Sequence, residues 1–114
     1  MSDVMDRLRK RRAYPLDIGG ETIHIRSMTK GERSRLEPIQ NDSESFGFVI
    51  GCGLVNEDGS ALFTVEDGEG ASEFGSRVED ALGLPDDTRS QISEAIAKLS
   101  RGPTPEQLKA LKKN

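Results

Sequence analysis

The stretch from Tyr14 to Arg26 limits the fold more tightly than any other, because apolar residues alternate on both sides of Gly19-Gly20. Glycine reaches positive φ without a Cβ clash, so this pair suits a two-residue hairpin loop. That loop sets the register. Ile18 faces Glu21, Leu16 faces Ile23 and Tyr14 faces Ile25. Tyr14, Leu16, Ile18, Ile23 and Ile25 then share one face, and Asp17, Thr22, His24 and Arg26 take the other. On that polar face His24 is expected to be exposed.

Downstream the signals turn helical. Thr29-Lys30-Gly31-Glu32 has the spacing of a capping box, in which a threonine side chain and a glutamate three residues on cap each other's backbone N–H. It predicts a helix over about 29–37, stopped by Pro38, with Leu36 and Met28 as inner contacts. Residues 45–55 admit two readings. Phe46, Phe48, Ile50, Cys52 and Leu54 alternate as in a strand. Val49 and Val55, however, make the segment nearly apolar throughout. Gly47 and Gly51, four apart, would let a neighbouring backbone come close if it were a buried helix, although each glycine costs a helix up to ~1 kcal/mol. Periodicity alone leans slightly to strand.

Asn56 to Ser60 reads as a turn. A helix is expected over 72–82 with Phe74, Val78, Ala81 and Leu82 inward, stopped by Gly83. Asp86 or Asp87 opens another over 86–100, where Ile92, Ala95, Ile96 and Leu99 recur at helical spacing. Gly102-Pro103 breaks the chain. Thr104-Pro105-Glu106-Gln107 then reads as the start of a short helix or tail over 101–114, with Leu108 and Leu111 apolar.

A chain of 114 residues suffices for one modest core, placed at residues 14–100. With four phenylalanines, one tyrosine and no tryptophan, that core must be mostly leucine, isoleucine and valine. The formal charge of −4 is segregated. Residues 1–12 carry five basic against two acidic groups, and residues 101–114 carry four against one, so +3 sits at each end and −10 between. Residues 1–13 accordingly read as a mobile basic arm. Basic ends around an acidic body suit self-association or docking onto a charged partner. The single cysteine permits no internal disulfide, and a reducing compartment fits. No apolar run approaches the length of a membrane span, and no apolar stretch follows the basic N-terminus as a secretory signal requires.

Catalytic and metal chemistry find little support. Counted as an EF-hand loop from Asn56, the sixth and twelfth positions are Ala61 and Asp67, where glycine and a bidentate glutamate are needed. Cys52 and His24, the only soft ligands, sit on separate elements, so a zinc site is not expected. The acid pairs Glu57-Asp58, Glu66-Asp67, Glu79-Asp80 and Asp86-Asp87 fall in turns, at helix starts or on polar faces. Solubilising charge and helix capping explain them better than acid/base work. Gly68-Glu69-Gly70 lacks the third glycine of a dinucleotide loop and the lysine of a P-loop. The run Arg7-Leu8-Arg9-Lys10-Arg11-Arg12 would neutralise phosphates, but no aromatics interleave it and the body is acidic. Direct nucleic-acid binding is therefore disfavoured. No cofactor is expected.

The order of these features resembles a tail assembly chaperone of long-tailed bacteriophages. The resemblance runs from about Leu16 to the C-terminus. It rests on Asp17-Ile18-Gly19-Gly20-Glu21-Thr22-Ile23-His24-Ile25-Arg26, then Met28-Thr29-Lys30-Gly31-Glu32-Arg33. Leu54-Val55-Asn56-Glu57-Asp58-Gly59, Leu62-Phe63-Thr64, Ile92-Ser93-Glu94-Ala95-Ile96 and Lys112-Lys113-Asn114 complete it. It favours a central helix over 45–55. The expected fold class is then α+β, a β-hairpin followed by about four helices with flexible basic termini.

The resemblance implies a non-enzymatic protein of the host bacterial cytoplasm, absent from the mature virion. Its partners would be the tape measure protein, which it keeps soluble, and the major tail tube protein, reached through a longer product of programmed ribosomal frameshifting. Lys112-Lys113-Asn114 requires adenine-rich codons, which suit a slippery sequence. The docking material would be the hairpin's apolar face and the helices carrying Phe74, Val78, Ile92 and Ile96. The exposed docking candidates are Leu8, Arg9, Arg11, Arg12, Leu108, Leu111, Lys112 and Lys113 on the basic termini. The alternatives are a small neck or tail component kept in the virion, and a nucleic-acid-binding regulator using the N-terminal arm.

Overall fold

The structure, a computed structural model, describes Val4 and residues 11–101. Strands β1 (Tyr14–Ile18) and β2 (Glu21–Ile25) form the hairpin, with the register Tyr14↔Ile25, Leu16↔Ile23 and Ile18↔Glu21 that the alternation requires. Gly19 and Gly20 take φ of +57° and +85°, the pair of left-handed conformations that lets a two-residue loop match the twist of the strands. Ile25 is buried, and Leu16, Ile18 and Ile23 pack onto the same core. His24 is half-buried, because β2 is an inner strand.

Helix α1 (Lys30–Leu36) starts at the capping box. Thr29 Oγ1 accepts from the Glu32 N–H at 3.1 Å, and Glu32 Oε1 accepts from the Thr29 N–H at 2.9 Å. Such a cap contributes about 1 kcal/mol. Helix α2 (Asp42–Gly53) is capped by Asn41, whose Oδ1 accepts from the Glu44 N–H at 3.0 Å. From Gly47 to Gly53 every residue of α2 is buried. This burial on all sides explains why the segment mimics a strand in sequence, for a helix enclosed all round needs no polar face.

The central helix ends earlier than expected. Leu54 and Val55 leave it to form a third strand, β3 (Leu54–Val55), paired antiparallel to β2 through His24↔Val55 and Ile25↔Leu54. The expected helix over 45–55 is thus corrected to Asp42–Gly53, and the hairpin becomes a three-stranded sheet in the order β1-β2-β3. The Arg26 N–H donates to the Gly53 carbonyl at 2.8 Å and Arg26 Nε to the Cys52 carbonyl at 3.0 Å. These bonds hold the helix end on the sheet.

The turn at Asn56–Ser60 closes through Asn56 N–H to the Ser60 carbonyl at 2.9 Å. Helix α3 (Ala71–Leu82) follows, and Gly83 stops it in the left-handed region with its N–H on the Glu79 carbonyl. Phe74 and Val78 are buried and Leu82 is half-buried, but Ala81 faces solvent, which corrects its inward placement. Helix α4 (Asp86–Arg101) buries Ile92, Ser93 and Ile96. It is tied to the exit of β2 where the Met28 N–H donates to Ser100 Oγ at 2.7 Å. The fold class is α+β; among the described residues a small antiparallel sheet and four helices enclose one core.

The closest packing is between α2 and α3. A methyl group at Gly47 would overlap the Gly75 carbonyl, and one at Gly75 would overlap the Glu44 carbonyl. The two glycines therefore set the distance between the helices. Beside them the rings of Phe48 and Phe74 meet edge to face, with centroids 6.0 Å apart and planes at 84°, an arrangement aromatic quadrupoles favour.

Candidate functional site

The core takes up the side chains that sequence reading offered as docking material. Phe74, Val78, Ile92 and Ile96 are between 0% and 4% exposed, so they hold the monomer together and are not available to a partner.

An open groove lies where α1 hands over to α2. The chain leaves α1 through Glu37-Pro38-Ile39-Gln40, and the Ile39 N–H bonds back to the Leu36 carbonyl at 3.0 Å. Leu36 and Ile39, three apart, thereby face the same way. Opposite them, α2 presents Asp42, Ser45, Phe46 and Val49, whose spacing of three and four keeps them on one helical face. Ser93 of α4 closes the floor. Together these residues line an open groove of about 390 Å³.

Its walls are apolar and partly uncovered: Leu36, Ile39 and Phe46 are half-buried. Arg89 fixes the Phe46 ring, lying over it with Cζ 4.8 Å from the centroid. The guanidinium is itself held by Glu79 at 2.9 Å and Asp86 at 3.2 Å. Arg89 Nε is buried with no hydrogen-bond partner among the described residues, and the adjacent ring offers π density as partial compensation. Ser93 is 8% exposed, and its hydroxyl makes no hydrogen bond among the described residues. A second, more polar groove of about 270 Å³ runs between β1 and α4, lined by Leu16, Asp17, Ile18, Gln91, Glu94, Ala95 and Lys98.

The candidates from the basic termini divide. Leu8, Arg9, Leu108, Leu111, Lys112 and Lys113 lie outside the described residues. Arg11 is no free docking cation: it is ion-paired with Glu32 and donates to the Ser27 carbonyl at 3.0 Å. Most of the arm assigned to residues 1–13 lies outside the described residues. Arg12 is exposed and lies over the Tyr14 ring, 5.2 Å from its centroid. Neither Arg11 nor Arg12 lines the groove between α1 and α2. Its members come from three separate elements, so no single stretch of sequence announces it. The one local signal is Ile39, an isoleucine in an otherwise polar connector.

Cys52 is 6% exposed. Burial, reinforced by the nearby Glu32 charge, pushes its thiol up to about 12. A thiol kept protonated is a poor nucleophile. In the native protein, labelling by a disulfide reagent at pH 8 is expected to run at least about a hundredfold slower than in the unfolded chain. The same shift has a stability consequence. The unfolded thiol ionises near 9 while the native one keeps its proton to about 12. Cys52 therefore favours folding below pH 9, and that contribution is lost as pH rises from 9 to 12. Alkaline denaturation curves of wild type and Cys52→Ala should converge over that window.

Among the described residues no group of three or more His, Cys, Asp or Glu side chains is placed to hold a metal ion, and no helix is long and apolar enough to cross a membrane. No family model, curated protein or solved structure matches the chain.

Proposed function

We propose that this protein is a tail assembly chaperone of a long-tailed bacteriophage. It binds the helical tape measure protein in the host cytoplasm, keeps it soluble, and promotes polymerisation of tail tube subunits around it. The observation that carries this reading is the uncovered apolar groove of Leu36, Ile39, Phe46 and Val49 on a domain whose remaining surface is heavily charged. A tape measure helix exposes apolar side chains until the tube encloses it, and a groove of this kind covers such side chains by the helix-in-groove mode.

The size of the groove suits a transient partner. Each large aliphatic side chain taken out of water contributes about 1.5–3 kcal/mol, and association costs offset much of that. Many weakly held copies along one tape measure would dissolve its apolar surface and still give way to tube subunits. The tube protein is reached through a longer, frameshifted product of the same gene, and several copies would self-associate along the tape measure. With Arg11 already engaged by Glu32, the N-terminal run offers phosphate one cation fewer, which weakens the nucleic-acid alternative.

Co-expression with the tape measure protein from the same genome tests the proposal. The tape measure is expected in the soluble fraction, bound to this protein, and purified virions should lack it. A tape measure that stays insoluble, together with this protein retained in virions, would assign it instead to the neck or tail structure.

A further inference from the structure

We infer that the segment following α4 folds back along that helix and seats Leu108 and Leu111 in the groove between α1, α2 and α4, so that the free protein covers its own apolar surface. The seating is independent of what the protein does. Its release by an incoming helix rests on the chaperone reading.

Reach selects this occupant. The Met28 N–H donates to Ser100 Oγ at 2.7 Å, so the end of α4 lies beside the residue that precedes the Thr29 cap of α1. The groove lies towards the other end of both helices, at Leu36 of α1 and Ser93 of α4. Ser93 and Ser100 are two helical turns apart, about 11 Å. Gly102-Pro103 stands just past Arg101, and proline disfavours continuation of a helix through the residue before it. A chain that reverses there and runs antiparallel to α4 comes level with Ser93 after the same two turns. Leu111 stands two turns beyond Thr104, and Leu108 one turn short of Leu111.

The segment has the pattern to arrive as a helix. Thr104-Pro105-Glu106-Gln107 supplies an N-cap threonine, a first-position proline and a capping glutamine, and leucines three apart share one face. The track is lined by small residues: Ser93, Ala97 and Ser100 recur along one face of α4, which lets a neighbouring helix lie close. Truncating one buried leucine leaves a cavity of about 150 Å³, so the groove of about 390 Å³ has room for two.

Other occupants lack this support. Glu37 and Asp42 stand around the mouth with Arg33 and Arg35 from the last turn of α1, so charge favours neither a basic nor an acidic partner. At the other end of the chain, Val4 is 50% exposed and is not seated in an apolar groove. A segment tethered by a short linker acts at an effective concentration on the order of millimolar. A free helix displaces it only by burying more apolar surface.

A spin label on the full chain tests the seating. Lys113→Cys takes the label, since Cys52 is 6% exposed and its thiol stays protonated. The amide signals of Ile39, Ser45 and Ser93 are expected to broaden. Leu108→Glu combined with Leu111→Glu, both outside the described fold, should remove that broadening and leave the thermal melt unchanged. The same pair should raise affinity for a fluorescent leucine-ridge helical peptide about tenfold, as expected where the groove is free about one-tenth of the time. Groove amides that stay sharp, broadening that survives the double substitution, or an unchanged peptide affinity overturns the inference. So does equal broadening of an isotope-enriched, unlabelled copy by a spin-labelled one, which would give the groove to the segment of a second copy. The two readings separate cleanly. A tape measure kept soluble while the groove amides stay sharp refutes the seating and spares the chaperone. Broadened groove amides in a protein that leaves the tape measure insoluble do the reverse.

Discussion

Gly47→Ala is expected to cost the fold about 3 kcal/mol or more, lowering the melting temperature by about 10–20 °C. Its sign runs against helix propensity. In an exposed helix, glycine to alanine stabilises by up to about 1 kcal/mol, since alanine loses less backbone entropy. At Gly47 the new methyl group meets the Gly75 carbonyl of α3 and the Glu79 side chain. Backbone cannot swing away as a side-chain tip can, so α2 and α3 must separate. Separation uncovers Phe48 and Phe74, which are 0% and 1% exposed. Gly31→Ala in α1 supplies the internal control, because nothing lies nearer than 3.9 Å to a Cβ there. A thermal melt followed by circular dichroism should place the two variants on opposite sides of wild type. Finding Gly47→Ala as stable as wild type would show that α2 and α3 cross at a distance that accommodates a methyl group.

Phe74→Ala should cost about 3–5 kcal/mol, the usual loss when a fully buried phenylalanine is truncated and its cavity persists. Persistence is expected because the site has no slack. Phe48 stands edge-on at 6.0 Å, and α3 already touches α2 through glycine at Gly75. Closing the void would drive backbone into backbone. Urea denaturation of Phe74→Ala, Phe48→Ala and the double variant gives the coupling of the two rings, expected at about 0.5–1.5 kcal/mol. A loss under about 1 kcal/mol for Phe74→Ala alone would mean that the helices do collapse inward.

What the sequence disclosed follows physical locality. The hairpin register was legible to the residue, because a two-residue glycine loop and strict alternation leave no other pairing for Leu16 and Ile23. The capping box at Thr29 was legible because both of its bonds lie within four residues. Residues 45–55 were not, since a helix buried on every side loses the periodicity that marks helices. Gly47 and Gly51 were the true clue there: a close crossing demands them and a strand gains nothing from them. Strand β3 was hidden because two residues carry no period and Leu54-Val55 owe their conformation to β2, some thirty residues earlier. Ala81 misled because helical spacing alone cannot tell the edge of a buried stripe from its centre. The groove was the least legible of all. Ile39 in its polar connector was the one local hint; Leu36 and Phe46 look like ordinary core residues, and only the tertiary arrangement leaves a gap between them.

The direct passage from α2 into β3 has a consequence for how the molecule opens. Gly53 ends the helix while its carbonyl accepts from Arg26 beyond β2, and the next residue, Leu54, is already paired with Ile25. No loop stands between helix and sheet to act as a hinge. The hairpin therefore cannot detach without stripping the last turn of α2, and α2 cannot fray at that end without breaking the sheet. Backbone amides on both sides of the junction should exchange with solvent as one set, at the rate of global unfolding, while the amides around the groove mouth at Ile39 open separately and sooner. The mouth of the groove is thereby uncoupled from the part that keeps the chain folded.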